Sequence, residues 1–121
     1  MNEFLYNYAV CALWSSNDNS DEYGDDPLDR NYDIQDLSPE AQDKMKADCR
    51  AFQNKAGDLL NGITEEQAGH DFWLTRNGHG AGFWDRGLGS SGEKLTEIAH
   101  SFGECDLYVG DDGKIYIEKG E

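Results

Sequence analysis

The sequence predicts an α+β domain of about four helices closed by a C-terminal β-hairpin. Two observations carry this. Apolar residues recur at helical spacing in four stretches, three of them opened by a helix-start signal, and the chain ends in two short β-rich runs around a Gly-Asp-Asp-Gly turn. At 121 residues the chain fits one domain, 1–121. A chain of this length buries roughly two-thirds of its unfolded surface, enough for a core without disulfides or metal.

The elements follow in order. Over residues 3–15, Phe4, Leu5, Tyr8, Cys11 and Ala12 fall on one helical face. Residues 17–37 change character, and Gly24 and Pro27 break any regular element there. They read as an acidic loop with Tyr23, Leu28, Tyr32 and Ile34 available as anchors. Ser38-Pro39-Glu40 is a helix start: a cap residue, proline at the first position and an acid in the first turn. Ala41, Met45, Cys49, Phe52, Ala56, Leu59 and Leu60 then keep helical spacing until Asn61-Gly62. Thr64-Glu65-Glu66-Gln67 is a capping box with Ile63 and Ala68 as its staple, and that helix turns Ala68, Phe72 and Thr75 inward before Asn77-Gly78.

A glycine-rich loop over 77–92 follows. Ser90-Ser91-Gly92-Glu93 predicts a second capping box, and Leu95, Ile98, Ala99 and Phe102 a fourth amphipathic helix ended by Gly103. The hairpin pairs Asp106–Val109 with Lys114–Glu118. A lone hairpin is marginal, so it must pack on the helices or gain a third strand, for which Tyr32-Asp33-Ile34 is the candidate. The expected shared core holds Phe52, Leu59, Phe72, Leu95, Ile98, Phe102, Leu107 and Ile117.

Charge narrows the function classes. The net charge is -15, from 25 acidic and 10 basic side chains. That balance argues against a duplex-DNA binder, whose phosphate contacts need Lys and Arg, and against an anionic membrane surface. It favours a basic partner. Cys11, Cys49 and Cys105 are odd in number, far apart and without a CxxC pair, so they read as reduced thiols of a cytoplasmic protein. Each is first of all a small buried hydrophobe. The N-terminus lacks a basic n-region and carries Glu3, unlike a signal peptide.

The acidic loop carries the first candidate site: Asp18, Asp21, Glu22, Asp25, Asp26, Asp29, Asp33 and Asp36 against Arg30 alone. The plain reading is a solvated loop that maintains solubility. The sharper one is a decoy, in which spaced carboxylates imitate phosphates and occupy a basic groove. Asp43, Asp48, Asp58, Glu65 and Glu66 extend the acidity onto helical surfaces.

The second candidate is the loop DFWLTRNGHGAGFWDRG, residues 71–87, in which Phe-Trp followed by Arg occurs twice. Its glycines allow backbone to approach a ligand. Trp73 and Trp84 could floor a pocket, with Arg76, Asn77, His79, Asp85 and Arg86 supplying polar groups, His79 as base and Arg76 or Arg86 binding an anion. The bland alternative is a structural loop with aromatic anchors and arginines paired to acids. It is not a phosphate loop, since no Gly-Lys-Ser/Thr follows. No serine sits in a nucleophile elbow, no His/Cys quartet has zinc spacing, and Asp111-Asp112-Gly113 lacks the pattern of a calcium loop.

The stretch from Thr64 to Glu118, through DFWLTRNGHGAGFWDRG and DLYVGDDGKIYIE, resembles small bacteriophage-encoded proteins of unassigned function. The resemblance covers under half the chain. It implies a phage setting and a host cytoplasm and supplies no activity. The lead expectation is an acidic, phage-encoded interaction protein that inhibits a basic host nucleic-acid-binding protein, as nucleic-acid mimics of anti-restriction or anti-CRISPR type do. It needs no catalytic residue, cofactor or metal and touches neither nucleic acid nor membrane. The alternative is a small hydrolase or ligand-binding protein using residues 76–87, and a third option is a phage accessory protein without mimicry.

Overall fold

The computed structural model describes residues 2–16, 28, 32–78, 82–83 and 87–119. Its order is α1 (Glu3–Ser15), a 3-10 turn (Ile34–Asp36), α2 (Pro39–Ala56), a second 3-10 turn (Gly57–Leu60), α3 (Glu65–Arg76), α4 (Ser90–His100), β1 (Cys105–Val109) and β2 (Ile115–Lys119). This is the expected α+β arrangement of four helices and a C-terminal hairpin. No helix among the described residues is long and apolar enough to cross a membrane.

Local chemistry explains most boundaries. The Asn2 side chain caps α1 by accepting from the Leu5 N–H at 2.8 Å, and Ser38 caps α2 by accepting from Ala41 at 3.0 Å. Thr64 caps α3 through the Gln67 N–H at 3.1 Å. The Gln67 amide bonds Asp71 Oδ1 at 2.9 Å, and no bond back to the cap closes the predicted box.

Two boundaries differ from expectation. The second helix ends at Ala56, one turn early, because Gly57 takes φ 49° and carries the chain into a 3-10 turn. Leu59 and Leu60 are left half-buried. At α4 the cap is Gly89, with no side-chain bond, and Ser90 is already helical, so no capping box forms.

The core forms where α1 crosses α3 and α2 closes over both. Phe52 stacks on Phe72 with ring centroids 4.2 Å apart and on Phe83 at 5.6 Å. Tyr8 stacks on Phe72 at 5.1 Å, and Phe102 meets the Phe72 ring edge-on at 5.2 Å. Helices α1 and α3 approach so closely that a Cβ at Gly69 would drive into the Phe4 carbonyl and sit 3.2 Å from the Tyr8 nitrogen. Of the expected core, Phe52, Phe72 and Leu95 are fully buried and Leu107 is buried, while Leu59, Ile98, Phe102 and Ile117 pack half-buried around them.

The hairpin stays two-stranded, with Leu107 opposite Ile117 and Tyr108 opposite Tyr116. Residues 32–34 do not add a third strand. Ile34–Asp36 instead folds as a 3-10 turn closed by a capping box between Asp33 and Asp36. Two short Asp side chains there satisfy the backbone locally, in competition with a strand ladder. One parallel bridge, Leu37 to Ile115, joins the hairpin to the segment before α2, with the Ser38 N–H donating to the Ile115 carbonyl at 2.8 Å. Burial of Cys105, Leu107 and Ile115 adds the packing that a two-stranded ribbon needs.

Candidate functional site

The glycine-rich loop was the more enzyme-like candidate, and its described members turn inward. Trp73 is 2 % exposed, its indole N–H donating to Ser15 Oγ at 2.7 Å and its ring edge-on to Tyr8. Arg76 is also 2 % exposed, and each of its three guanidinium nitrogens donates. Nε donates to the Gly103 carbonyl at 2.8 Å, one terminal nitrogen to the Phe102 carbonyl at 2.9 Å, and the other to Tyr8 Oη at 3.0 Å and Asp48 Oδ2 at 2.8 Å. It therefore ties α1, α2 and the turn after α4 to α3.

Burial alone would lower the Arg76 pKa. Tyr8, Cys105 and the Asp48 carboxylate more than offset this and raise it, so the side chain stays cationic. Asn77 donates to the Trp73 carbonyl at 3.0 Å and accepts the Cys105 N–H at 2.8 Å, joining the end of α3 to the start of β1. Trp73, Arg76 and Asn77 are thus structural groups with their polar atoms committed. His79, Trp84, Asp85 and Arg86 lie outside the described residues. The loop's described anchor is Phe83, fully buried against Phe52, with its N–H bonded to Thr75 Oγ1 at 3.1 Å.

In the acidic loop, Asp18, Asp21, Glu22, Tyr23, Asp25, Asp26 and Asp29 lie outside the described residues. Leu28 serves as the expected anchor: it is fully buried, its N–H bonds the Ser16 carbonyl at 2.8 Å, and its carbonyl accepts from Tyr32. Asp33 and Asp36 stand at the end of the segment. Asp36 Oδ2 accepts the Asp33 N–H, and Asp33 Oδ1 the Gln35 N–H, each at 2.8 Å. Apart from Asp36, Asp48 and Asp71, every described carboxylate is exposed. No group of three or more His, Cys, Asp and Glu among the described residues is placed to hold a metal. Asp112 serves its own turn, accepting from Tyr116 Oη at 2.6 Å and from the Lys114 N–H at 3.0 Å. That hydrogen bond pushes the half-buried Tyr116 up to about 12 and lowers the Asp112 carboxyl.

Of the depressions among the described residues, two flank α1. One, of about 460 Å³ between the start of α1 and α2, is polar and edged by Asn2, Gln42, Lys46, Arg50 and Gln53. The other, of about 360 Å³, lies between α1 and the Ile34–Asp36 turn and is lined by Tyr6, Val10, Leu13, Tyr32, Asp33, Ile34 and Gln35. At its edge Tyr6 is 50 % and Val10 37 % exposed, and one turn further along α1 Trp14, its ring 6.0 Å from that of His70, is 55 % exposed. Sequence reasoning passed over this surface, although the signal was present. Once Phe4, Leu5, Tyr8, Cys11 and Ala12 are assigned inward, Tyr6, Val10 and Trp14 remain four apart on the opposite face.

No protein-family model, no curated protein and no solved structure matches the chain.

Proposed function

We propose that this chain is an acidic interaction protein that engages a basic, nucleic-acid-binding protein of a bacterial host and blocks it by presenting carboxylates where nucleic acid presents phosphates. The observation that carries this reading is the net charge of -15 together with the outward placement of nearly every described carboxylate. The inward commitment of Trp73, Arg76 and Asn77 favours it over a hydrolytic or ligand-binding loop. The phage setting rests on the sequence resemblance.

Capture of partners from a bacterial lysate at low and high salt tests it. Steered association is long-range, and screening shortens to about 8 Å at physiological ionic strength. The captured protein should be basic, bind far more weakly at high salt and lose to competing nucleic acid. Changing Asp21, Glu22, Asp25 and Asp26 together to Asn or Gln should slow association with little effect on melting. An acidic partner, or no competition by nucleic acid, sinks the mimic.

A further inference from the structure

The described residues expose few large apolar side chains, and they are not scattered. Tyr6, Val10 and Trp14 share one face of α1, Trp14 with its ring 6.0 Å from that of His70 on α3, and the fourth, Tyr108, stacks on Tyr116 across the hairpin at 5.7 Å. The α1 face runs beside the groove formed with Tyr32 and Ile34. The helix's other face already fills the core with Phe4, Leu5, Tyr8, Ala9, Cys11, Ala12 and Leu13, so the stripe is surplus to folding. Clustered exposed aromatics of this kind mark interaction sites.

Charge selects the occupant. The groove carries Asp33, with Asp36 in the same turn, and α1 holds Glu3 and no base. In sequence, residues 1–37 place Arg30 alone against Glu3, Asp18, Asp21, Glu22, Asp25, Asp26, Asp29, Asp33 and Asp36. A second copy at -15 would be repelled, as would an anionic lipid surface. A segment of Lys and Arg around an apolar side chain would be attracted by Asp33, Asp36 and the net charge of the chain, and buried by the stripe.

We propose that Tyr6, Val10 and Trp14, with the groove lined by Tyr32, Ile34 and Asp33, dock a cationic amphipathic segment of the partner through its apolar side chain. The proposal rests on the acidic-interaction reading and adds to it a contact that salt does not screen. Carboxylates bring the partner in; the aromatic stripe slows its departure, as buried Trp and Tyr do at the centres of interfaces.

Two synthetic peptides of equal length and charge test this against the full chain. One is an amphipathic helix of Lys and Leu, and the other has each Leu replaced by Gln. The Leu peptide should bind at low salt and keep measurable affinity at physiological salt, whereas the Gln peptide should lose its binding there. Tyr6→Ser/Trp14→Ser should weaken the Leu peptide at least tenfold at physiological salt and leave the Gln peptide unchanged at low salt. Val10→Lys, a single exposed helix position, should do the same if the double variant folds poorly. Equal binding of both peptides, untouched by either variant, overturns the docking stripe and leaves the acidic reading standing. Failure of both peptides at low salt overturns the acidic reading itself. Sedimentation of the parent as a dimer, reverted to monomer by Trp14→Ser, assigns the stripe to a second copy and overturns the cationic occupant.

Discussion

Helices α1 and α3 pack on one another and break the inside-outside rule in opposite directions. Helix α3 carries polar and charged groups into the interior: Asp71 and Thr75 are fully buried and Arg76 nearly so. Helix α1 carries large apolar groups out to solvent at Tyr6, Val10 and Trp14. The two exceptions differ in how they are compensated. On α3, Asp71 accepts from Gln67, Thr75 from the Phe83 N–H, and Arg76 spends its donors on two carbonyls, a phenol and a carboxylate. Buried polarity bonded in this way is architecture. The α1 stripe is covered less: the Trp14 ring lies 6.0 Å from that of His70 on α3, yet Trp14 stays 55 % and Tyr6 50 % exposed, and the proposed docking surface rests on that exposed apolar cluster.

The sharpest way to break the contrast is at Arg76. Arg76→Met should cost about 3–5 kcal/mol in denaturant unfolding, since it leaves Asp48, Tyr8 and two carbonyls without their donor. A change near zero would mean that the buried charge is not structural, and the loop would return as a candidate site. Arg76→Lys should recover only part of the loss, because an ammonium cannot reproduce the planar fork.

Alkaline pH probes the seam between the two helices. Burial, followed by the nearby Asp71, raises the Cys11 thiol from an ordinary 9.0 to about 12. A raised folded-state pKa contributes stability that is whole below pH 9 and is lost as pH rises toward about 12. Stability should therefore fall in that window, on the order of 1.4 kcal/mol per pH unit per such group. Unfolding curves of Cys11→Ala should show a shallower alkaline decline than the parent; an identical decline would place the titration elsewhere, with burial also raising Cys49 and Tyr8.

The smallest effect should be at the stripe. Trp14→Ser should shift unfolding by no more than roughly 0.5 kcal/mol, the range for surface substitutions away from special features. A loss of 2 kcal/mol or more, on the order of a core truncation, would mean that the stripe is covered within the chain and is not a docking surface.

Much of the fold was legible where the physics is local. Ser38-Pro39 and Thr64 opened helices where expected, because a capping oxygen reaches N–H groups only two or three residues away. The Gly110–Gly113 turn closed the hairpin for the same reason, with Gly113 N–H bonded back to the Gly110 carbonyl at 3.0 Å. Where two local tendencies competed, the pattern misled. Leu59 and Leu60 extend the spacing of α2, but the chain bends at Gly57. Residues 32–34 alternate like a strand, but the Asp33 and Asp36 side chains close a turn first.

The sequence by itself determined the class of fold, the four helix faces that could be buried, and the net charge of -15 on which the proposal of a basic partner rests. Only the tertiary structure decided which groups those faces spend on each other. Arg76, exposed in any isolated helix, becomes interior because Tyr8, Asp48, Phe102 and Gly103 converge on it from 68, 28, 26 and 27 residues away. Tyr6, Val10 and Trp14, apolar enough for a core, stay outside because one face of α1 is already filled by the packing against α3. Spacing along a helix says which side chains share a face; only the helices packed around it say which face is covered.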